Sequence, residues 1–329
     1  MLEKLNAIKL FLASRLRREG KIYAFLRVIY KKLFVWQAKR LAQSPERLEQ
    51  ALRNDHIEKI TQHPSSSGFI VELKGRKLWW RDPSDSNHLL SIIIFSHQGI
   101  FEEEETNMFK KLIGPRDVVF DVGANLGWHS LTFAELASEG QVVCFEPDEK
   151  TFQELNENIN LNYPSPHQNI VLEKYALGDE KKEVLLYLPQ QLGAAFASVM
   201  PNYYQKISGK VVVEKIQMIR LDDYCEEKNI SRVDFIKCDV EGAPHLVVKG
   251  AKNLLSPDEA PLLFIEITKR NPDEFNTFHL LRDFGYQAFV LRRGGLVSIN
   301  PEEIKAQSAE YNFLFAKNNH LQKISPLIK

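Results

Sequence analysis

The ten residues Val118 to Gly127, VVFDVGANLG, constrain this chain more than any other stretch. Val118, Val119 and Phe120 form a short apolar run bounded by Asp121 and Gly123, the signature of a buried parallel strand. The Gly-Ala-Asn-Leu-Gly that follows runs directly into an apolar-periodic segment, so a strand, a tight loop and a helix succeed one another. Glycine at 123 and 127 lets the backbone approach a ligand closely, and the helix N-terminus beyond offers unpaired N–H groups to a carboxylate or phosphate. The loop is therefore expected to cradle a ligand.

Spacing narrows which ligand. A dinucleotide loop reads G-x-G-x-x-G, whereas here the glycines stand as G-x-x-x-G with Asp121 two positions before the first. That is the pattern of an S-adenosylmethionine (SAM) loop. The next predicted strand, Gln141 to Phe145, ends in Glu146-Pro147-Asp148, and a carboxylate at that tip can accept hydrogen bonds from both hydroxyls of a ribose. Glu146 is thus the expected ribose clamp. In the competing reading the unit holds no cofactor, Asp121 merely caps, and Glu146 is a solvated strand end.

The chain's 329 residues allow about two domains, and its formal charge is zero. The balance is uneven, because residues 1 to 40 carry eleven Lys/Arg against Glu3 and Glu19, leaving the remainder net acidic by nine. An acidic body argues against a nucleic-acid groove, and no nucleic-acid partner is expected. Cys144, Cys225 and Cys238 are scattered, without a C-x-x-C, and read as small hydrophobes in a reducing compartment. No stretch approaches a membrane span, and Lys9 interrupts any signal-peptide core, so a cytoplasmic protein is expected, at most peripheral to a membrane.

Residues 1–65 read as a basic, amphipathic helical extension, with Ile22, Phe25, Leu26, Ile29, Leu33 and Trp36 in one stripe among Lys21, Arg27, Lys31 and Lys32. Two uses stay open: an anchor on an anionic membrane surface through residues 1–40, or an arm packed on the body or on a second copy in a homo-oligomer. Ser44-Pro45-Glu46 opens a further helix, and His63 to Gly68 is the expected boundary. Residues 66–100 form a β-rich lead-in with a hairpin of Phe69–Leu73 and Lys77–Arg81, and Ser91 to Phe95 reads as strand or buried helix. The acid run Glu102 to Glu105 suits a helix N-terminus.

From 101 to 320 the pattern is strand, helix, strand, helix, the mark of a doubly wound α/β sheet whose ligands sit at the carboxyl ends of the strands. Ala176-Leu177-Gly178-Asp179 closes the third strand where an adenine ring could be sandwiched. Val184–Leu188 and Val211–Ile219 form an inserted antiparallel pair. In Leu221-Asp222-Asp223-Tyr224, Asp223 and Glu226 fit a capping box. Val233 to Ile236 then runs into Lys237-Cys238-Asp239-Val240-Glu241-Gly242. Two carboxylates and a lysine at one strand tip are costly to bury without partners, which makes this the best catalytic candidate. Leu262 to Ile267, with Glu266 near its end, a helix through Phe275 to Phe284, and the strands Tyr286–Leu291 and Tyr311–Ala316 complete the body.

FDVGANLG, FEPD, LDDY and FIKCDVEGA, in this order and at these separations, resemble the FkbM family of SAM-dependent methyltransferases over roughly residues 66–317. The resemblance implies a Rossmann-like class I methyltransferase fold with a mostly parallel seven-stranded sheet. It also implies O-methylation of a hydroxyl on a sugar, glycan or other small secondary metabolite. It places Asp121, Gly123 and Gly127 around the methionine part of SAM, Glu146 on the ribose, and Asp239 and Glu241 beside the transferred methyl; Asn125 of the loop and Asp179 of the adenine stretch are the further cofactor-binding candidates. One departure is visible: the family usually continues D-x-E-G with alanine and a second glutamate, whereas Pro244 and His245 follow Ala243 here.

An alcohol is almost unionised at neutral pH, so a base is expected within hydrogen-bond reach of it. Asp239 or Glu241 would take the proton, with Lys237 orienting the carboxylates and His245 the alternative base; if the missing second glutamate serves base chemistry, His245 or Glu266 must replace it. Alternatively Asp239 only fixes the SAM amino group, Lys237 pairs with it, and Glu241 caps the next helix. No metal is assigned. Two rival classes are a nicotinamide oxidoreductase, which the glycine spacing opposes, and a non-catalytic membrane-surface scaffold built on a methyltransferase-like body.

Overall fold

The computed structural model describes residues 45–52, 56–82, 101–163, 169–189, 197–201, 210–267, 272–292, 295–304 and 311–329. The amphipathic stripe of residues 22–36 and the segment Ser91 to Phe95 lie outside them. The chain divides into two units, residues 1–101 and 102–329.

In the first unit, α1 (Pro45–Leu52) begins at its proline, and β1 (Ile57–Gln62), β2 (Phe69–Leu73) and β3 (Arg76–Trp80) form an antiparallel sheet in that order. The helical extension read over residues 1–65 is contradicted here, since Ile57–Gln62 is a strand. A register shift between Ile57 and Lys59 lets Ile57 and Ile60 both be buried from it. His63 to Gly68 is accordingly the connection between β1 and β2 rather than a boundary; His63 N–H donates to the Gly68 carbonyl at 3.2 Å. The β2–β3 turn is the two residues Lys74 and Gly75, with φ of 50° and 78°, as a tight hairpin requires.

The second unit begins with α2 (Glu103–Leu112), whose first turn carries the acid run and whose inner face buries Met108, Phe109 and Leu112. It continues through β4 (Val118–Val122), α3 (Trp128–Leu136), β5 (Gln141–Phe145), α4 (Glu149–Asn162), β6 (Ile170–Glu173), β7 (Ala176–Leu177), β8 (Lys182–Pro189) and β9 (Val211–Ile219). Then come α5 (Leu221–Glu227), β10 (Phe235–Cys238), α6 (Pro244–Lys249), α7 (Lys252–Leu255), β11 (Leu262–Glu266) and α8 (Asn276–Asp283). The last elements are β12 (Gln287–Arg292), β13 (Gly295–Ile299), β14 (Asn312–Ala316) and α9 (Leu321–Ile324).

The main sheet runs β13-β12-β14-β11-β10-β4-β5-β6, parallel from β11 to β6, with β14 antiparallel between β11 and β12. This is the doubly wound, Rossmann-like sheet expected, with an eighth strand: β13 folds back on β12 as an edge hairpin. Both faces are packed. Phe120, Phe145 and Tyr224 meet edge to face on one side, while Phe109, Phe133, Phe235 and Phe264 do so on the other. β7, β9 and β8 make a separate small sheet, the insert read from the sequence with two residues of β7 added.

The LDDY tetrad is structural, though not as a capping box. Arg220 takes the cap position of α5 without a side-chain bond. Asp222 instead accepts the N–H groups of Asn253 (2.9 Å) and Leu254 (3.0 Å), tying α5 to the start of α7. Tyr224 donates its hydroxyl to Glu173 at 3.0 Å. These bonds hold the helices behind β4, β5 and β10, and so fix the three strand tips from which the site is built.

Candidate active site

The cradle is set by backbone. Gly123, at φ 77°, and Ala124 both donate their N–H groups to the Phe145 carbonyl at 3.0 Å, which turns the loop across the tip of β5. A Cβ at position 123 would stand 1.9 Å from the Asp239 carbonyl oxygen, so the loop lies against the tip of β10 where no side chain fits. Asn125, in the left-handed region at φ 52°, donates its N–H to the Glu146 carboxylate at 3.0 Å. The other Glu146 oxygen accepts from Asp148 N–H at 3.0 Å, and Asp148 caps α4 through Thr151.

An open cavity lies over this loop. Gly123 and Asn125 line it, Glu146 stands at the tip of β5, and Asp239 and Glu241 follow the tip of β10. Leu186, Ala197 and Val199 supply an apolar wall from β8 and the segment beyond it. Burial first, then the Asp148 charge, pushes the Glu146 carboxyl up to about 8, against the pull of its two backbone donors.

Other expected site residues lie elsewhere. Asp121 has no exposure and does not line the cavity; strand alternation turns it to the α3 face, where one oxygen accepts from the Ser130 hydroxyl at 2.6 Å and the other lies 3.6 Å from Lys237 Nζ. Gly127 opens α3 at φ 88° and serves packing, since a Cβ there would meet Leu155 at 2.8 Å. Asp179 does not line the cavity, although Tyr175, Ala176 and Leu177 do. His245 is buried in α6 away from the cavity lining, with no partner for Nδ1, and burial lowers its proton affinity. Pro244 sits at the first turn of α6, where the departure from the family pattern costs the backbone nothing.

Lys237 lies beneath the site, between Asp121 and Asp239, with its Nζ 3.3 Å from Asp239 and 3.5 Å from the Gly123 carbonyl. Burial works against its charge, but Asp239, Asp121 and Glu102 outweigh it and hold the ammonium above the ordinary lysine range. Burial would likewise raise Asp239; Lys237 and a hydrogen bond from Glu266 keep it low instead. One oxygen each from Asp239, Glu241 and Glu266 fall within 4.8 Å of one another. Burial, then the charges of Asp239 and Glu241, push the Glu266 carboxyl well above the carboxylate range.

Sequence reasoning named Glu266 only as a stand-in for the missing glutamate and as a candidate oxygen ligand beside Asp239 and Glu241, and the three do come together here. It had no signal for the contact of His129 Nε2 with the Glu102 carboxylate, 2.5 Å apart. That contact joins residues far apart in the chain.

The methyltransferase FkbM domain matches residues 121–289, more than half of the chain and the whole span that builds this cavity. The 2-O-methyltransferase NoeI of Sinorhizobium fredii is 29% identical over 154 residues, covering 43% of this chain and 60% of that protein. The hexuronic acid methyltransferase AglP of Haloferax volcanii is 30% identical over 139 residues, 42% of this chain and 52% of its own. The chain thus spans about half to three-fifths of those relatives. The crystal structure of methyltransferase FkbM from Methylobacillus flagellatus aligns at a TM-score of 0.41 and 16% identity, covering 67% of this chain and 52% of that one. With the match running from the buried Asp121 beneath the cradle, past the Glu146 tip and the Asp239 tip, into β12, the chain belongs to the FkbM methyltransferase family.

Proposed function

We propose that the protein transfers the methyl group of SAM to a hydroxyl of a sugar-like small molecule or glycan. The observation that carries this is the cavity itself: a backbone cradle with no room for a side chain at Gly123, a buried carboxylate at one strand tip and a carboxylate grouping at another. Glu146 would accept the two ribose hydroxyls, the apolar wall with Leu177 would flank the adenine, and Asn125 and Gly123 would underlie the remainder. Bound there, SAM supplies a sulfonium-activated methyl for in-line displacement.

The protein's own work is positional. The acceptor oxygen has to be held about 3 to 3.5 Å from the methyl carbon, in line with the breaking bond. Its proton leaves into the carboxylates at the β10 tip, which Lys237 fixes from below. The sugar class rests on the names of NoeI and AglP, and on the fit of carboxylates to hydroxyl donors. Calorimetric titration with S-adenosylhomocysteine, beside a Glu146→Ala variant, tests the cofactor. Micromolar binding that the variant loses is expected, and no binding to the wild type would sink the reading. Methyl transfer to a panel of neutral and uronic glycosides then tests the acceptor class.

A further inference from the structure

We propose that Ser198 is a positioning residue of this site, its hydroxyl holding the Glu241 turn so that the Glu241 carboxylate stands beside the methyl of bound SAM. This rests on the methyltransferase reading above and names what places one of its carboxylates. Residues 239–243 follow β10, and both Glu241 and Gly242 are in the left-handed region, at φ 37° and 88°. Glycine takes that conformation freely; a glutamate takes it at a cost and keeps it where its surroundings impose it. The turn's own bond is long, since the Ala243 N–H lies 3.4 Å from the Val240 carbonyl. The Ser198 hydroxyl supplies a short one from outside, donating to the Glu241 carbonyl at 2.5 Å.

Ser198 can do this because it is itself held. It is buried, and it exchanges two backbone bonds with Tyr187 of β8, at 2.8 and 3.1 Å. Its Oγ also accepts the Met200 N–H at 3.1 Å, so the hydroxyl is used as acceptor and as donor, which aims its proton. Ser198 does not line the cavity, and so acts through Glu241. Ala197 and Val199, on either side of it, do line the cavity and pack on the small core of Ala176, Leu186, Ile216 and Met218. One short segment therefore supplies part of the cavity wall and the tie to the β10 tip. At that tip Glu241 lines the cavity, and one of its carboxylate oxygens falls within 4.8 Å of oxygens of Asp239 and Glu266. Lys237 steadies Asp239 through its carboxylate at 3.3 Å, whereas Ser198 steadies Glu241 through its main chain.

The test uses the full chain and two probes of the cofactor site: S-adenosylhomocysteine, which is neutral at sulfur, and sinefungin, which carries an ammonium where SAM carries its S-methyl. Both share the ribose, so the protonation of Glu146 cancels in the ratio of their calorimetric affinities, and the ratio reads the carboxylate charge at the methyl position. Expected is a wild-type preference for sinefungin of about tenfold, cut by about threefold or more in Ser198→Ala. Affinity for S-adenosylhomocysteine should change less than about twofold in that variant, because the backbone bonds to Tyr187 keep the wall in place. In a Glu241→Gln background, Ser198→Ala should leave the preference unaltered. The bond itself is read by NMR with carbonyl-¹³C glutamate and ¹⁵N glycine, which reports the Glu-Gly pairs of the sequence, at residues 19–20, 139–140 and 241–242. Glu241→Gln assigns the last by its disappearance, and that carbonyl should move upfield in Ser198→Ala while the other two stay. An unmoved carbonyl, an undiminished preference, equal loss of both probes, or the same loss in the Glu241→Gln background would each overturn the inference. A wild type that binds sinefungin no better than S-adenosylhomocysteine would overturn it too, since Glu241 would then place no charge at the methyl. Loss of S-adenosylhomocysteine binding in the wild type would instead remove the methyltransferase reading itself.

Discussion

Cofactor binding should be coupled to loss of a proton from Glu146. In the empty site its carboxyl is held at about 8, chiefly by burial and then by the neighbouring Asp148. A ribose diol donates both hydrogen bonds to the ionised form, so binding selects that form. At pH 7, about nine empty sites in ten carry the proton, and the apparent dissociation constant is raised in proportion to the scarcity of the competent state. Affinity for S-adenosylhomocysteine should therefore climb about tenfold from pH 6 to 7 and about tenfold again from 7 to 9, then level off. Calorimetry at pH 7 in phosphate and in Tris, buffers of different ionisation enthalpy, should report about 0.9 proton released per molecule bound. Glu146→Gln should bind more weakly, with neither pH dependence nor proton release. Stability moves the other way. An unfolded glutamate titrates near 4.3, so between there and about 8 the folded, empty protein binds more protons than the unfolded chain and loses stability as pH rises, by at most roughly 5 kcal/mol. Glu146→Gln should thus have the higher Tm above pH 8. Wild-type affinity that is flat from pH 6 to 9, with no buffer-dependent enthalpy, would refute this reasoning.

Lys237→Met leaves Asp121 buried without its cation, and a loss of about 3 to 5 kcal/mol in urea unfolding is expected, most of it recovered in the double variant Asp121→Asn/Lys237→Met. Gly123→Ala drives a methyl into the Asp239 carbonyl from a left-handed backbone, and S-adenosylhomocysteine binding should fall at least a hundredfold by calorimetry. Asp222→Ala releases two N–H groups at the start of α7 and should lower stability by about 1 to 3 kcal/mol, with cofactor affinity unchanged. His245→Phe should leave S-adenosylhomocysteine affinity unchanged, because His245 does not line the cavity.

Much of the site was legible because local signals and the sheet rule agreed. An apolar run, a glycine turn and a carboxylate at the next tip determine each other within 30 residues, and β4, Gly123, Asn125 and Glu146 lie where that logic puts them. Side-chain direction was less legible. Asp121 and Lys237 belong to tips that point at the ligand, yet both sit on strand positions that alternate toward α2 and α3, and a motif records position rather than face. Ile57 and Ile60, three apart, fit a helical period and not a regular strand's alternation; the register irregularity that buries both from a strand leaves no local signal. Asp222 and Asp223 are both plausible caps by local spacing; the partner that chose between them is α7, thirty residues on, which no local pattern encodes.

The missing side chain at Gly123 has a mechanical consequence. Where the cradle loop rests on the main chain of Asp239, the separation between that loop and the Asp239 carboxylate is set by one backbone-to-backbone touch rather than a series of side-chain packings. Errors elsewhere in the fold then cannot accumulate across that gap. Substitutions in the cavity wall, at Leu186, Ala197 and Val199, can reshape it without moving the cradle loop relative to Asp239.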